Sequence, residues 1–141
     1  MMTFLFHFSA AAVLPFWGAM ILFPRSSVTE RMVSSPWIIM APVLCYLAFA
    51  LPNLPELALM FADPNPGNLA EGMARPWAAS MFWAYAGAFD LFVGRWMFFD
   101  AQDRRIHPIW VSPALFVAIF LGPLGFTMYG LVVAGHWLKA R

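Results

Sequence analysis

Charge is scarce in this sequence. Seven acidic and eight basic residues make up 11% of its 141 positions, against about 25% in a soluble domain of ordinary composition. So few charges cannot cover a water-facing surface, and with 62% of residues hydrophobic the natural solvent for most of the chain is lipid. The charges nearly cancel, to +1, which leaves no basic footprint for nucleic acid. Cysteine occurs once, as Cys45, so no internal disulfide can form. Histidine occurs only at His7, His107 and His136. Three scattered histidines exclude the clustered ligands of membrane di-iron hydroxylases and desaturases, and any dedicated metal site. No Lys or Arg precedes the first apolar run, whereas a secretory signal starts with positive charge, so the first segment is expected to be retained. There is no Gly-rich nucleotide loop, no GxSxG elbow and no Ser–His–Asp order. Internal repeats and linkers are missing too; Asp63-Pro-Asn-Pro-Gly-Asn68 reads as a turn.

What is present is apolar length. A membrane-spanning helix needs roughly 20 mainly apolar residues. Four segments qualify: 4–23, 36–61 with its last third broken, 76–100 and 113–138. The expected fold is therefore all-α, a four-helix transmembrane bundle with proline-kinked helices forming one domain over 1–141. Proline suits the first helical position, because its missing N–H would be unpaired there anyway. Ser35-Pro36 and Ser112-Pro113 add a capping serine, and Arg75-Pro76 starts the third helix without one. Trp37, Trp77 and Trp110 lie close to these starts and fit an interfacial aromatic belt. The first and third loops hold Arg25, Arg31, Arg104 and Arg105, against Arg75, Lys139 and Arg141 on the other side. That margin leans toward both termini outside.

Pro15, Pro42, Pro52 and Pro123 fall inside the first, second and fourth segments and kink them; the third has no internal proline and carries Asp90 and Arg95. An ionisable residue within a span is costly and points to function. Counted from the side of the first and third loops, Asp90, Pro15, Cys45 and Pro123 all fall about 14–15 Å deep, near a bilayer midplane. At about 100° per residue, Ala79, Trp83, Ala86, Gly87, Asp90, Gly94 and Met97 form one stripe of mainly small residues, the kind by which membrane helices approach closely. Met81, Ala88, Phe92 and Phe99 make the opposite face. Asp90 is thus expected to point inward. Arg95 lies about 140° away, near enough to the helix end to snorkel toward the interface. An architectural role competes for each: a tertiary hydrogen-bond anchor for Asp90, snorkelling for Arg95. His7, His136, Asn53 and Glu56 are expected at one membrane face, as interfacial residues or a polar pocket. Asp100, Asp103, Arg104 and Arg105 read as a solvated turn. Aromatics make up 18% of the chain and suit either lipid contact or packing against flat conjugated molecules.

Three pieces together resemble one family. They are Leu14-Pro15-Phe16-Trp17 with Pro24-Arg25; Ala88-Phe89-Asp90-Leu91-Phe92-Val93-Gly94-Arg95-Trp96 continuing to Asp100; and Gly122-Pro123-Leu124-Gly125 with Tyr129. Their order and spacing are similar to the ABA4-like membrane proteins, named for a plant protein required for neoxanthin formation. The middle piece is long and specific. A His-Tyr pair that often precedes the Ala-Phe-Asp run is here Tyr85-Ala86. The resemblance implies a link to carotenoid, specifically xanthophyll, metabolism, as a cofactor-free epoxide-to-allene isomerase or a carotenoid binder. It assigns catalysis to Asp90 and Arg95 and carotenoid contact to Trp17, Trp83, Tyr85, Gly94, Pro123 and Gly125. A carboxyl kept protonated by apolar surroundings can serve as general acid, a role open to Asp90. No cofactor or metal is implied beyond a bound carotenoid. The partners implied are membrane lipids and the carotenoid, in a multi-pass protein of a bacterial inner membrane or plastid-type membrane. A larger membrane complex or a second copy of the chain is a further candidate partner, and the competing readings are a non-enzymatic subunit docking on such a complex and a transporter element suggested only by the broken second segment.

Overall fold

A computed structural model describes residues 1–139 of the chain, and the described residues form helices joined by short turns. The helices are α1 (Met2–Leu22), α2 (Ser27–Ser34), α3 (Met40–Ala50), α4 (Leu54–Ala62), α5 (Pro66–Met73), α6 (Pro76–Asp103), α7 (Pro108–Phe120) and α8 (Gly122–Lys139). Two stretches, Met2–Leu22 and Pro36–Ala62, are long and apolar enough to cross a membrane. The expected break in the second is a 3-10 turn at Leu51–Asn53, where the Asn53 side chain donates to the Phe49 carbonyl at 2.8 Å. Ser35 caps the start at Pro36 as its sequence indicates, accepting from the Trp37 amide.

α6 is the central element and packs against α1, α3, α7 and α8. Its 28 residues give about 42 Å of straight helix. Around it Trp17, Met20, Leu91, Met97, Phe98, Leu115 and Tyr129 form one buried cluster.

The fourth expected helix, 113–138, is two helices. α7 starts at Pro108, where His107 caps the Ile109 amide. Pro113 is inside α7, and Ser112 serves α1 instead, its hydroxyl donating to the Ile21 carbonyl. The helix stops at Leu121, whose φ of −138° is extended rather than helical. Gly122-Pro123 then starts α8, which doubles back along α7. Gly125 sits so close to α7 that an added Cβ would lie 2.5 Å from the Ala118 amide nitrogen and 2.6 Å from the Ala114 carbonyl oxygen. Only glycine permits this approach of two backbones.

The reversal changes which ends meet. Tyr129 of α8 reaches Asp100 near the end of α6, and His136 shares a cleft with Arg105 and His107. Phe6 of α1 stacks on Trp83, near the start of α6. His7 and His136 therefore lie at opposite ends of the molecule, not at one face. The start of α1 and the last described turn of α8 are therefore at opposite ends, not on one side.

The buried face of α6 is also turned from the expected stripe. Ala78, Ala84, Ala88, Leu91, Gly94, Met97, Phe98 and Ala101 are buried, while Ala79 and Trp83 are exposed. Ala88, expected outside, is inside because α3 as well as α1 packs on this helix. Asp90 lies at the margin of that face and is half-buried.

Candidate functional site

The straight helix α6 carries Asp90 to the level at which α7 turns back. Its carboxylate rests against Gly122, where an added Cβ would come within 2.9 Å of the Asp90 Cγ. Gly122 opens α8, so the carboxylate faces the positive end of a helix. Asp90 makes no hydrogen bond or ion pair among the described residues. The expected coincidence of Asp90 with the Gly-Pro break near Pro123 holds.

Below this contact a cleft of about 230 Å³ opens between α1 and α6. Val13 and Trp17 of α1, Trp83 and Ala86 of α6 and Phe120 at the tip of α7 line it together with Asp90. The wall is apolar and aromatic, with one carboxylate. Trp17 is held rigidly, being 2% exposed, because Gly94 leaves room for its ring: a Cβ there would lie 2.6 Å from Cζ3.

Of the residues singled out in the sequence, Trp17, Trp83 and Asp90 therefore line one cleft, Gly94 supports it from behind, and Pro123 and Gly125 shape the hairpin that closes its upper end. Tyr85 is elsewhere. It packs with Phe89 at 4.7 Å between ring centres and with Tyr46 at 6.4 Å.

Arg95 does not join Asp90. Its Nε donates to the Val33 carbonyl at 2.7 Å and its Nη2 to the Ser34 carbonyl at 2.5 Å, while its guanidinium lies over Phe99. These carbonyls end α2, whose last carbonyl groups have no helical donor. Arg95 thus ties the first loop to α6. Asp100 has a similar tie. It accepts from Tyr129 Oη at 2.6 Å and from Arg104 Nε at 2.7 Å. The adjacent carboxylate raises the Arg104 pKa above its ordinary value, through the hydrogen bond first and charge second. At the opposite end Arg75 pairs with Glu56.

Gly122, Ala86 and Phe120 join this candidate site beyond the residues to which the sequence points. The Gly122-Pro123 pair carried the signal, since two helix breakers in a row mark a turn, even within an apolar run.

These features define an all-helical protein in which a helical hairpin ends against a carboxylate at the head of an apolar cleft. The chain belongs to the ABA4-like family, whose model, described as ABA DEFICIENT 4-like, matches residues 4–129. That span contains Asp90, Gly122 and every cleft residue. The chain is similar to Protein ABA DEFICIENT 4, chloroplastic, of Arabidopsis thaliana, with 25% identity over 108 residues, covering 72% of this chain and 49% of that protein. It spans about half the length of that curated relative. No solved structure matches.

Proposed function

We propose that this is a multi-pass membrane protein that holds a carotenoid in the α1–α6 cleft and isomerises it at Asp90. The observation that carries the reading is an Asp90 carboxylate without a hydrogen-bond or ion-pair partner among the described residues, at the head of an apolar cleft walled by Trp17 and Trp83. Family membership and the relative's name, which ties that protein to abscisic acid deficiency, support the pigment link.

In this reading α1, the α3–α4 segment and α6 cross the bilayer, and the α7–α8 hairpin enters it from one side. Arg25, Arg31, Arg104, Arg105 and Lys139 then share one side, against Arg75, which is paired with Glu56. Positive residues favour the cytoplasmic side, so the N-terminus lies outside and the C-terminal end of α8 inside. A carotenoid is about as long as the hydrocarbon layer is thick, roughly 30 Å. Because the hairpin stops at Asp90, a ligand lying obliquely along α1 and α6 brings one end ring under the hairpin tip rather than its polyene.

Epoxide-to-allene isomerisation involves no net oxidation. The epoxide oxygen takes up a proton as one C–O bond breaks and its electron pair goes to oxygen. A neighbouring C–H bond gives up a proton to the Asp90 carboxylate that this donation leaves, which restores the acid, and the C–H electrons form the second double bond of the allene. A carboxyl group in a dry cleft can act as the acid. Arg95 is assigned an architectural role, since its donors are committed to α2.

Expression in cells producing epoxy-xanthophylls tests the reading. A new allenic pigment, lost in Asp90→Asn with folding preserved, supports it. Carotenoid co-purifying without a new product leaves a binder, a reading favoured by Ala86 standing on the cleft wall where the family often has tyrosine. Unchanged pigments and no bound carotenoid defeat both, and leave a docking subunit.

A further inference from the structure

A second cleft, of about 360 Å³, lies at the far end of the hairpin, between the α6–α7 turn and the last turns of α8. Arg105, His107 and His136 supply its polar groups, and Trp110, Leu131 and Val132 an apolar wall. Arg105 is set there by an unusual backbone. Its φ is 55°, the one positive value at a non-glycine residue among the described residues. This is the left-handed region, which ordinarily favours glycine after a helix. The turn is fixed by hydrogen bonds from the Arg105 amide to the Gln102 carbonyl and from the Ile106 amide to the Ala101 carbonyl, both 2.9 Å. A side chain in this conformation is a cost that the turn itself does not require, and such outliers gather at functional sites.

Arg104, next to it, is taken by Asp100, whereas Arg105 has no ion pair or hydrogen bond from its side chain among the described residues. His107 accepts the Ile109 amide at Nδ1, 3.3 Å away, so its Nε2 carries the proton and is left to donate outward. The cleft also adjoins the start of α7, whose helix dipole adds positive potential. An adjacent cleft shares Arg105 and His107 but contains Glu30, which disfavours an anion there.

We propose that the Arg105–His107–His136 cleft binds the anionic headgroup of a phospholipid, with the acyl chains running down Trp110 and Leu131. The apolar wall distinguishes this occupant from a free anion, because inorganic phosphate would gain nothing from it. The proposal rests on the membrane reading above, but not on carotenoid chemistry.

The test uses the full chain. Flotation with phosphatidylcholine vesicles is scored first; a chain that stays in the aqueous fraction overturns the membrane reading and this site together. Native mass spectrometry from micelles containing equal phosphatidylglycerol and phosphatidylcholine then reports lipid retention. The expected result is preferential retention of phosphatidylglycerol, reduced about tenfold or more in Arg105→Gly, the loss of one charge-assisted contact. Thermal stability of Arg105→Gly should be unchanged or higher, since glycine suits φ 55°, so a folding defect cannot imitate the result. Equal retention of both lipids by the native chain, or an unchanged preference in Arg105→Gly, overturns the site. Full displacement of the lipid by inorganic phosphate shows a free-anion site and overturns the lipid assignment.

Discussion

The Asp90 carboxylate rests against Gly122, so a carboxylate in the middle of one helix and the reversal between two others occupy one point. A methyl group at Gly122 would meet the end of a flexible side chain, which can swing aside. Gly122→Ala should therefore cost only about 1 kcal/mol of stability, yet displace Asp90. Pigment conversion or retention should fall far more than melting temperature does; parallel loss of both would point to a purely architectural contact.

Gly125→Ala should behave differently. The added carbon would meet the Ala118 and Ala114 backbone, which cannot rotate out of the way. The expected cost is about 3 kcal/mol or more, with α7 and α8 forced apart. Protease nicking between residues 118 and 125 measures that opening, and a variant as resistant as the parent would contradict the close packing.

Arg95→Gln removes the guanidinium from the Val33 and Ser34 carbonyls. A hydrogen bond involving a charged group contributes about 1.5–3 kcal/mol, so a stability loss of that order is expected, with faster amide exchange over residues 27–35. Arg95→Lys should recover only part, because an ammonium is a point donor rather than a fork. Pigment chemistry per folded molecule should be unchanged, unlike in Asp90→Asn.

Tyr129→Phe deletes the 2.6 Å bond to Asp100 while keeping the ring against Trp96. A loss of about 1.5–3 kcal/mol is expected. Asp100→Asn should be no worse in combination than the larger single effect, since the two share one interaction; additive losses in a double-mutant cycle would exclude coupling.

The hairpin gives a topological prediction. In a Cys45→Ala background, Arg104→Cys and His136→Cys should react with a membrane-impermeant thiol reagent from the same side, and Thr3→Cys from the other. Labelling of His136→Cys and Thr3→Cys from one side would restore a fourth crossing.

Much of this was legible in the sequence, and the gaps have specific causes. Ser35-Pro36 and Arg75-Pro76 announced helix starts because proline and capping chemistry act locally. The shared depth of Asp90 and Pro123 followed from counting residues at fixed rise. Ser112-Pro113 misled, because its serine answers an unpaired carbonyl at Ile21, 91 residues away in sequence. The turn at Leu121 was concealed because Leu121, Gly122 and Pro123 reverse the chain without the polar residues that mark a solvated loop. Arg95's partners were invisible for a different reason: they are backbone carbonyls at Val33 and Ser34, and any sequence there would offer the same atoms. The rotation of α6 depends on α3 packing beside α1, which the spacing of small residues on α6 alone does not encode.

The hairpin also bears on how the protein is made. An ordinary fourth span would require its trailing end, with His136 and Lys139, to be carried across the bilayer. In the membrane reading proposed above, two helices joined at Leu121-Gly122 instead enter from the side on which they were synthesised, as a wedge whose far end stays on that side. In that reading insertion of the hairpin depends on the groove beside α6 being already formed, so the Asp90–Gly122 contact would serve as a checkpoint in assembly.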